Sequence, residues 1–310
     1  MKYKFIDKRY TWNNAFRYMR DCTKHAMDIL GHEEVEDSLP ADINFYNHCT
    51  IEETESTRFL DSLILKPTGP SSNFFSIDEI GYANSSSIVF DEPFEYEFYK
   101  ITDSNRNYIT QMINDKANKW DYHNERNWSD AEGVPDDHIL IIGQCPADET
   151  VTRFSFGNHW TKLCAIVDEL HLENLVIKLH PRHYKKENMD LTPDIYKKIQ
   201  AWEKRGHLVI KDYVSIHTIL PHTRVAITEN STAGIECMMH NIPIVSYGYP
   251  EYHWVTNDLR ILSQLPNIID NLDWFKKEKQ EQFLHWYLFD YLCNDIDSTM
   301  RRLKCLDMIS

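Results

Sequence analysis

The sequence predicts an α/β protein with two domains, the second of which is built on a doubly wound parallel sheet. Between residues 138 and 247, five apolar runs suited to buried strands alternate with helix-like segments. Parallel neighbours need a covering crossover, so this alternation favours a parallel sheet. The polar, unperiodic run 120–137 separates this part from a first half with patterns of its own. A chain of 310 residues, 42% hydrophobic, has enough apolar surface for two medium-sized cores.

The first half contains fewer recognisable elements. Apolar residues near a helical period predict a helix over 12–30: Trp12, Phe16, Met19, Ala26 and Leu30. Short β-type runs predict strands at 62–66 and 87–91, and a second helix is expected over 103–119. The acidic stretch 31–60 carries no clear pattern. We interpret residues 120–137 as the linker between the two halves.

The second half is patterned throughout. Strands are predicted at 138–143, 175–179, 207–211, 224–228 and 242–247, and helices near 158–170, 192–205, 214–221 and 232–240. From residue 257 the chain reads as an aromatic-rich helical tail that packs back onto the body. A membrane-surface role for the tail is disfavoured, because its Asp and Glu residues would be repelled by anionic lipid. The expected domains are therefore 1–130 and 131–256, followed by the tail 257–310.

Composition excludes several functions and locations. A net charge of −15 and a pI near 5.4 repel phosphates, so no nucleic-acid partner is expected. The nine glycines leave no G-x-G-x-x-G finger and no glycine-rich phosphate loop. Seven scattered cysteines indicate reduced thiols, and hence a cytoplasmic protein. We find no signal core and no apolar run of transmembrane length, which predicts a soluble chain with at most peripheral membrane association.

Polar loops follow four of the predicted strands. In an open parallel sheet, ligands bind beyond the carboxyl ends of the strands, where such loops converge. The loops begin at Gly143, His180, Glu229 and Gly248.

The loop 229–236 offers the best anion site. Ser231 or Thr232 can cap the following helix, whose exposed N–H groups favour a phosphate. Ala233 and Gly234 are small enough for a ligand to approach, and Glu236 is placed to accept hydrogen bonds from ribose hydroxyls. Taken alone, the segment is equally consistent with an ordinary capped helix.

A histidine and two carboxylates complete the candidate chemistry. Pro181 holds His180 in an extended conformation at a strand end, where it can donate to a phosphate oxygen. Lys178 and Arg182 add positive charge there. Asp148, with Glu149 beside it, can act as general base or as nucleophile towards an anomeric carbon, although an acidic loop is common on an acidic protein.

Metal and hydrolase sites find little support in the sequence. The D-x-D at 295–297 lies in the helical tail and reads as a solvated face. His180 and His183 lack a carboxylate to complete a zinc set. There is no G-x-S-x-G elbow. No metal and no cofactor are therefore expected.

Together these loops resemble the capsule polysaccharide synthesis family, including the retaining β-Kdo transferases. The family carries a G-Q-x-x-x-D-x-S/T segment, an H-P motif, a Ser/Thr loop leading to G-x-E, and a Y-G-x-P stretch. The matching residues are Gly143, Gln144, Asp148 and Thr150; His180 and Pro181; Ser231, Thr232, Gly234 and Glu236; and Tyr247 to Pro250. The resemblance covers about 138–256 well, whereas the run 76–93 is only vaguely similar to the family's acceptor-side domain.

The resemblance implies a GT-B-like glycosyltransferase with two Rossmann-like domains, a deep interdomain cleft and no required metal. It implies a nucleotide sugar as co-substrate, CMP-Kdo in the β-Kdo transferases, and a glycan acceptor. Asp148 would work at the anomeric carbon, and His180 with the Ser/Thr loop would hold the phosphate. The residues placed around the nucleotide are Gln144, Lys178, His180, Arg182, Ser231, Thr232, Gly234 and Glu236, and those on the donor-sugar side are Glu149, Arg153 and Tyr249.

The sequence departs from the family on the donor-sugar side. Ala147 precedes Asp148 where the family often has an acid, and Glu251 follows the Y-G-x-P stretch where a G-W-G is common. A transferase using a UDP-pentose or UDP-hexose, such as UDP-xylose, on a glycoprotein or oligosaccharide therefore stays open. So do a non-catalytic nucleotide- or glycan-binding module and, less favoured, a phosphate-ester hydrolase.

Overall fold

The computed structural model describes residues 1–6, 14–36, 38–49, 62–119, 129–155, 157–180 and 191–306. The chain forms two compact units. Unit 1 combines Met1–Glu125 with Gln282–Ser310, and unit 2 is Arg126–Glu281. Each unit contains one six-stranded sheet.

Strands and helices are numbered in chain order. The strands are β1 (Lys2–Ile6), β2 (Glu33–Glu34), β3 (Ile43–Asn47), β4 (Ser62–Pro67), β5 (Phe75–Asp78), β6 (His138–Ile142), β7 (Leu175–Lys178), β8 (Leu208–Ile210), β9 (Thr223–Thr228), β10 (Ile244–Ser246), β11 (Asn257–Asp258) and β12 (Leu292–Cys293). The helices are α1 (Asn14–Ile29), α2 (Ser87–Phe90), α3 (Asp103–Asn114), α4 (Glu149–Phe154), α5 (His159–Glu169), α6 (Pro193–Lys204), α7 (Ala233–Met239), α8 (Leu265–Asp270), α9 (Lys277–Trp286) and α10 (Ile296–Cys305).

The sheet of unit 1 has the order β12-β5-β4-β3-β1-β2. The strands from β2 to β4 are parallel, while β5 and β12 run antiparallel to their neighbours. The apolar stripe of α1 packs on one face of this sheet, where Phe16 and Met19 meet Phe45, Leu63 and other buried side chains. The helix predicted near the chain start is thus confirmed.

The sheet of unit 2 has the order β11-β10-β9-β6-β7-β8, and all its strands are parallel. Helices α5, α6 and α8 cover one face and bury Trp160, Leu163 and Trp202 against Ile141 and Ile177. Helix α7 packs on β9 and β10. The predicted doubly wound parallel sheet is confirmed, with all five predicted strands present.

Two predicted elements of secondary structure are wrong. The expected strand at 87–91 is the short helix α2, because the buried carboxylate of Asp78 accepts hydrogen bonds from the Ser87 N–H at 3.1 Å and from its hydroxyl at 2.7 Å. Those bonds satisfy the start of a helix turn. The expected helix at 214–221 consists of two 3₁₀ turns, Ile216–Thr218 and Leu220–His222, and the second contains Pro221.

The structure adds strands that the sequence patterns do not predict. In unit 1 these are β1, β2, β3 and β5. In the tail, β11 and β12 extend one sheet each. The predicted helical tail, 257–310, is divided between the two units. Its residues up to 281 belong to unit 2, and the remainder belongs to unit 1. Residues 120–128 of the predicted linker, 120–137, lie outside the described part of the chain. No helix among the described residues has the length and apolarity needed to cross a membrane.

Candidate functional site

Four loops of unit 2 leave the parallel sheet at one edge. The strand register aligns the last residues of the central strands, since Ile142 pairs with both Lys178 and Thr228, and Thr228 pairs with Ser246. The loops after β6, β7, β9 and β10 therefore start side by side. This is the edge at which a doubly wound sheet binds its ligand.

A buried lysine stands in this aligned row. The side chain of Lys178 is on the last residue of β7, and the residue is only 8% exposed. Burial lowers the pKa of Lys178 from 10.5 to about 8, although the neighbouring Glu236 carboxylate favours the charged form. A cation that is mostly removed from water at a ligand-binding edge is suited to an anionic group.

The loop after β6 presents Asp148 at the start of α4. Asp148 is the N-cap residue, and its carboxylate accepts hydrogen bonds from the backbone N–H of Thr150 at 2.9 Å and from its hydroxyl at 2.7 Å. These bonds fix the rotamer of the carboxylate, which is half-buried. The next residue, Glu149, forms an ion pair at 3.2 Å with Arg153, one turn further along α4.

The loop after β9 is braced by a tyrosine. The Ser231 hydroxyl accepts a hydrogen bond from the Ala233 N–H at 3.2 Å, whereas the Thr232 side chain does not cap α7. Tyr252 donates its hydroxyl proton to the Ser231 carbonyl. Its ring also lies against Gly234, where a Cβ would come within 2.2 Å of the Tyr252 Cζ. The absence of a side chain at Gly234 thus makes room for the Tyr252 ring, and a close approach of the ligand at Gly234 stays a prediction.

A buried carboxylate lies at the centre of the edge. Glu229, directly after β9, is fully buried and accepts hydrogen bonds from His159 Nδ1 at 2.5 Å, from Lys162 and from the Ser155 hydroxyl. Burial alone would raise the pKa of Glu229, but these three donors hold it below its usual value. The Gln144 N–H donates to His159 Nε2 at 3.3 Å, so the hydrogen-bond pattern assigns the Nδ1–H tautomer to the imidazole.

The neighbouring Asn230 joins the same two loops. Its backbone N–H donates to Gln144 Oε1 at 3.1 Å, and its amide Nδ2 donates to the Thr150 carbonyl at 3.0 Å. Gln144, predicted to lie near the nucleotide, is thus buried and holds the loop after β9. The loop after β10 also reaches this point, because a Cβ on Gly248 would lie 2.6 Å from the Glu229 carbonyl oxygen.

The other predicted residues lie around this centre or outside the described chain. His180, two residues beyond β7, is half-buried, and Glu236 on α7 is 5% exposed beside Lys178. Tyr249 projects from the loop after β10 and is 40% exposed. Pro181 and Arg182 lie outside the described residues. Among the side chains that are described, no three His, Cys, Asp or Glu residues are grouped as a metal site.

Sequence reasoning missed the residues around Glu229. The sequence motifs identify Glu229 only as the first residue of a loop, and they predict no role for His159, Lys162 or Ser155. The available signal was a glutamate directly after a buried strand, since a charge at such a position is rarely left without partners. Its partners stand about 70 residues earlier in the chain, and only the fold brings them to it.

The family of the protein follows from comparison with known proteins. The model of the family described as capsule polysaccharide biosynthesis protein matches residues 76–264, more than half of the chain. The chain belongs to this family. The match begins in β5, includes the run 76–93 that is only vaguely similar in its motifs, and contains the four loops after β6, β7, β9 and β10. The resemblance stated from the sequence is confirmed.

Solved structures show the same fold. The chain is similar to a structure described as "Thermosulfurimonas dismutans KpsC, beta Kdo 2,4 transferase", with a TM-score of 0.56, 15% identity, and 99% of this chain and 98% of that chain covered. A second structure, the beta Kdo 2,7 transferase of the same KpsC, has a TM-score of 0.54 at 14% identity and covers 99% of both chains. The GT-B-like fold is thus confirmed. No curated protein sequence matches.

Proposed function

We propose that this member of the capsule family is a glycosyltransferase that moves a sugar from a nucleotide-sugar donor to a hydroxyl of a capsular or surface glycan. Family membership and the fold shared with two β-Kdo transferases support the glycosyltransferase class. One observation carries the placement of the donor. Lys178, a buried cation, stands in register with the strand ends from which the Asp148 and Ser231 loops leave.

In this proposal the nucleotide phosphate binds against Lys178, His180, Ser231 and Thr232. The positive charge of Lys178 stabilises the negative charge that grows on the phosphate as the sugar–phosphate bond breaks. Arg182 adds to this charge, and Glu236 accepts hydrogen bonds from the ribose hydroxyls. These cationic and hydroxyl groups neutralise the leaving group without a metal ion, so transfer is expected to continue at full rate after chelation with EDTA.

Asp148 is proposed to act at the anomeric carbon of the donor sugar, as general base or as nucleophile. Its carboxylate is held by two hydrogen bonds from Thr150, so it approaches the sugar in a fixed orientation, as catalysis by positioning requires. Glu149, Arg153 and Tyr249 lie on the donor-sugar side in this proposal. The similarity in fold to two β-Kdo transferases supports a Kdo donor, and hence CMP-Kdo, over a UDP-sugar.

The proposal includes the compartment in which the protein works. We propose that the protein works in the reducing cytoplasm, where its seven scattered cysteines would stay as thiols.

Two measurements test the proposed function. Calorimetric titration with CMP and with UDP is expected to give binding of one nucleotide, CMP if the donor is CMP-Kdo, and absence of binding by both would contradict the proposal. Asp148→Asn keeps the oxygen that caps α4 but loses the charge. We expect it to abolish transfer while nucleotide affinity stays within about twofold, and Asp148→Ala to give the same loss. Unchanged turnover in Asp148→Asn would refute the role of this carboxylate.

A further inference from the structure

We propose that Glu229 and Asn230 are positioning residues that hold the Asp148 loop in register with the phosphate-binding loop. This inference rests on the proposed function, and it assigns a role to residues that the catalytic proposal does not use. Neither side chain is placed in contact with the donor. Both residues instead position the two loops that carry the proposed donor contacts, the loops after β6 and β9.

The first step is the link between Glu229 and the Asp148 loop, which passes through the imidazole of His159. The Glu229 carboxylate fixes His159 through Nδ1, which leaves Nε2 to accept the Gln144 N–H. Gln144 lies only four residues before Asp148, in the turn that carries it. The orientation of that turn therefore depends on an imidazole whose tautomer is set by a buried charge, an arrangement in which a carboxylate orients a histidine.

The second step is the link through Asn230. Its backbone and side chain bond on either side of Asp148, at Gln144 Oε1 and at the Thr150 carbonyl. Ser231, which follows directly in the same loop, is proposed to hold the phosphate. Asp148 and the phosphate site are therefore coupled through two consecutive residues of one loop.

The charge balance shows why a glutamate is needed at this position. Lys162 Nζ donates to the same carboxylate and also lies 5.7 Å from the centre of the Tyr247 ring. The Ser155 hydroxyl, at the end of α4, is a further donor. An amide in place of the carboxylate would present N–H groups to some of these donors and would leave the Lys162 charge uncompensated. The donors would then separate, and with them α4, α5 and the Asp148 turn.

The principal test compares Glu229→Gln with the wild type in steady-state kinetics. A shift of about an ångström in a catalytic group costs on the order of 100-fold in rate. We expect kcat to fall about 10- to 100-fold while the KM for the donor stays within about threefold. The cation proposed to hold the phosphate, Lys178, is on β7, and His180 follows it, so both lie outside the loop that carries Glu229, Ser231 and Thr232. The matched control is Glu173→Gln, which removes a partly buried ion pair with Arg224 in the same unit and should leave both constants unchanged. A loss of kcat below twofold in Glu229→Gln would overturn the proposal.

A second measurement does not depend on activity. Amide hydrogen exchange in Glu229→Gln should rise at Gln144 and through 143–150, and stay at wild-type rates in β7 and α6. Wild-type exchange in 143–150 would overturn the proposal even if no donor is ever found. Conversely, increased exchange there in a chain that binds no nucleotide would support the positioning network and refute the proposed function instead.

A milder variant covers the case in which Glu229→Gln does not fold. Asn230→Ala removes the bond to the Thr150 carbonyl and keeps the buried charge. We expect a several-fold lower kcat, an unchanged donor KM and faster exchange at Thr150 and Val151. Unchanged kcat and unchanged exchange in this variant would refute the contribution of Asn230.

Discussion

Replacing Lys178 with methionine should make the empty protein more stable and its nucleotide complex weaker. Lys178 is 8% exposed, and burial lowers its pKa from 10.5 to about 8. Each tenfold change in a protonation equilibrium is worth about 1.4 kcal/mol. The charged lysine therefore costs the folded protein about 3 kcal/mol at pH 7, a figure that already contains the attraction by Glu236. Methionine fills similar space without this cost.

The nucleotide complex should respond in the opposite direction. A hydrogen bond to a charged group contributes about 1.5–3 kcal/mol, so loss of the ammonium should weaken CMP or UDP binding by about 10- to 150-fold. Thermal unfolding of the empty protein and calorimetric titration report the two effects separately. Lys197→Met is the matched control, because Lys197 is an exposed lysine of the same unit whose side chain is 77% exposed. It should change neither quantity.

The direction in which stability and nucleotide affinity change with pH tests the same prediction independently. The unfolded chain keeps the Lys178 proton up to about pH 10.5, whereas the folded protein loses it near pH 8. The stability of the wild type should therefore rise between those values and approach that of Lys178→Met. Nucleotide affinity should fall over the same range, since the ammonium is lost. A destabilised Lys178→Met protein with normal nucleotide affinity would show that Lys178 is a structural partner of Glu236 and would refute the reasoning.

Two further predictions concern packing and acid stability. Gly234→Ala places a Cβ within 2.2 Å of Tyr252 and should lower the free energy of unfolding in urea by about 1–3 kcal/mol. Gly143→Ala, where the nearest atom lies at 3.4 Å, should cost less, and equal losses would refute the close packing. Burial and His217 lower the pKa of His240 to about 4, so the unfolded chain alone takes up this proton as the pH falls from about 6.5 to 4. His240→Gln should flatten the loss of thermal stability over that range, and an unchanged slope would contradict this.

The parallel sheet of unit 2 was predictable because its strands are read from local composition. A strand covered by helices on both faces needs an almost continuous apolar run, and five such runs stand in the sequence. Unit 1 was harder to predict. β1 alternates lysine with aromatic residues, and β2 has only two residues, so neither gives a distinctive pattern. The segment 87–91 has the composition of a strand, but Ser87–Phe90 is helical, because the Asp78 carboxylate accepts the N–H of Ser87.

The candidate site, too, was predictable from the sequence only in part. Its loops, its histidine and the carboxylate proposed to be catalytic were accessible from the sequence, since polar residues directly after buried strands mark the ligand edge of a parallel sheet. The role of Gly234 was not accessible, because its neighbour Tyr252 stands 18 positions later. Glu229 is the clearest case, as its charge is visible in the sequence and its three donors are not.

The sequence by itself determined the fold class and the family, and it predicted the sheet edge at which we propose that the donor binds. These depend on apolar periodicity and on short motifs, both of which are local properties of the chain. The tertiary structure alone decided that Lys178 is a desolvated cation and that Glu229 is a stabilised anion. The physical reason is that burial and hydrogen-bond partners set the state of an ionisable group, and both come from residues that are distant in sequence.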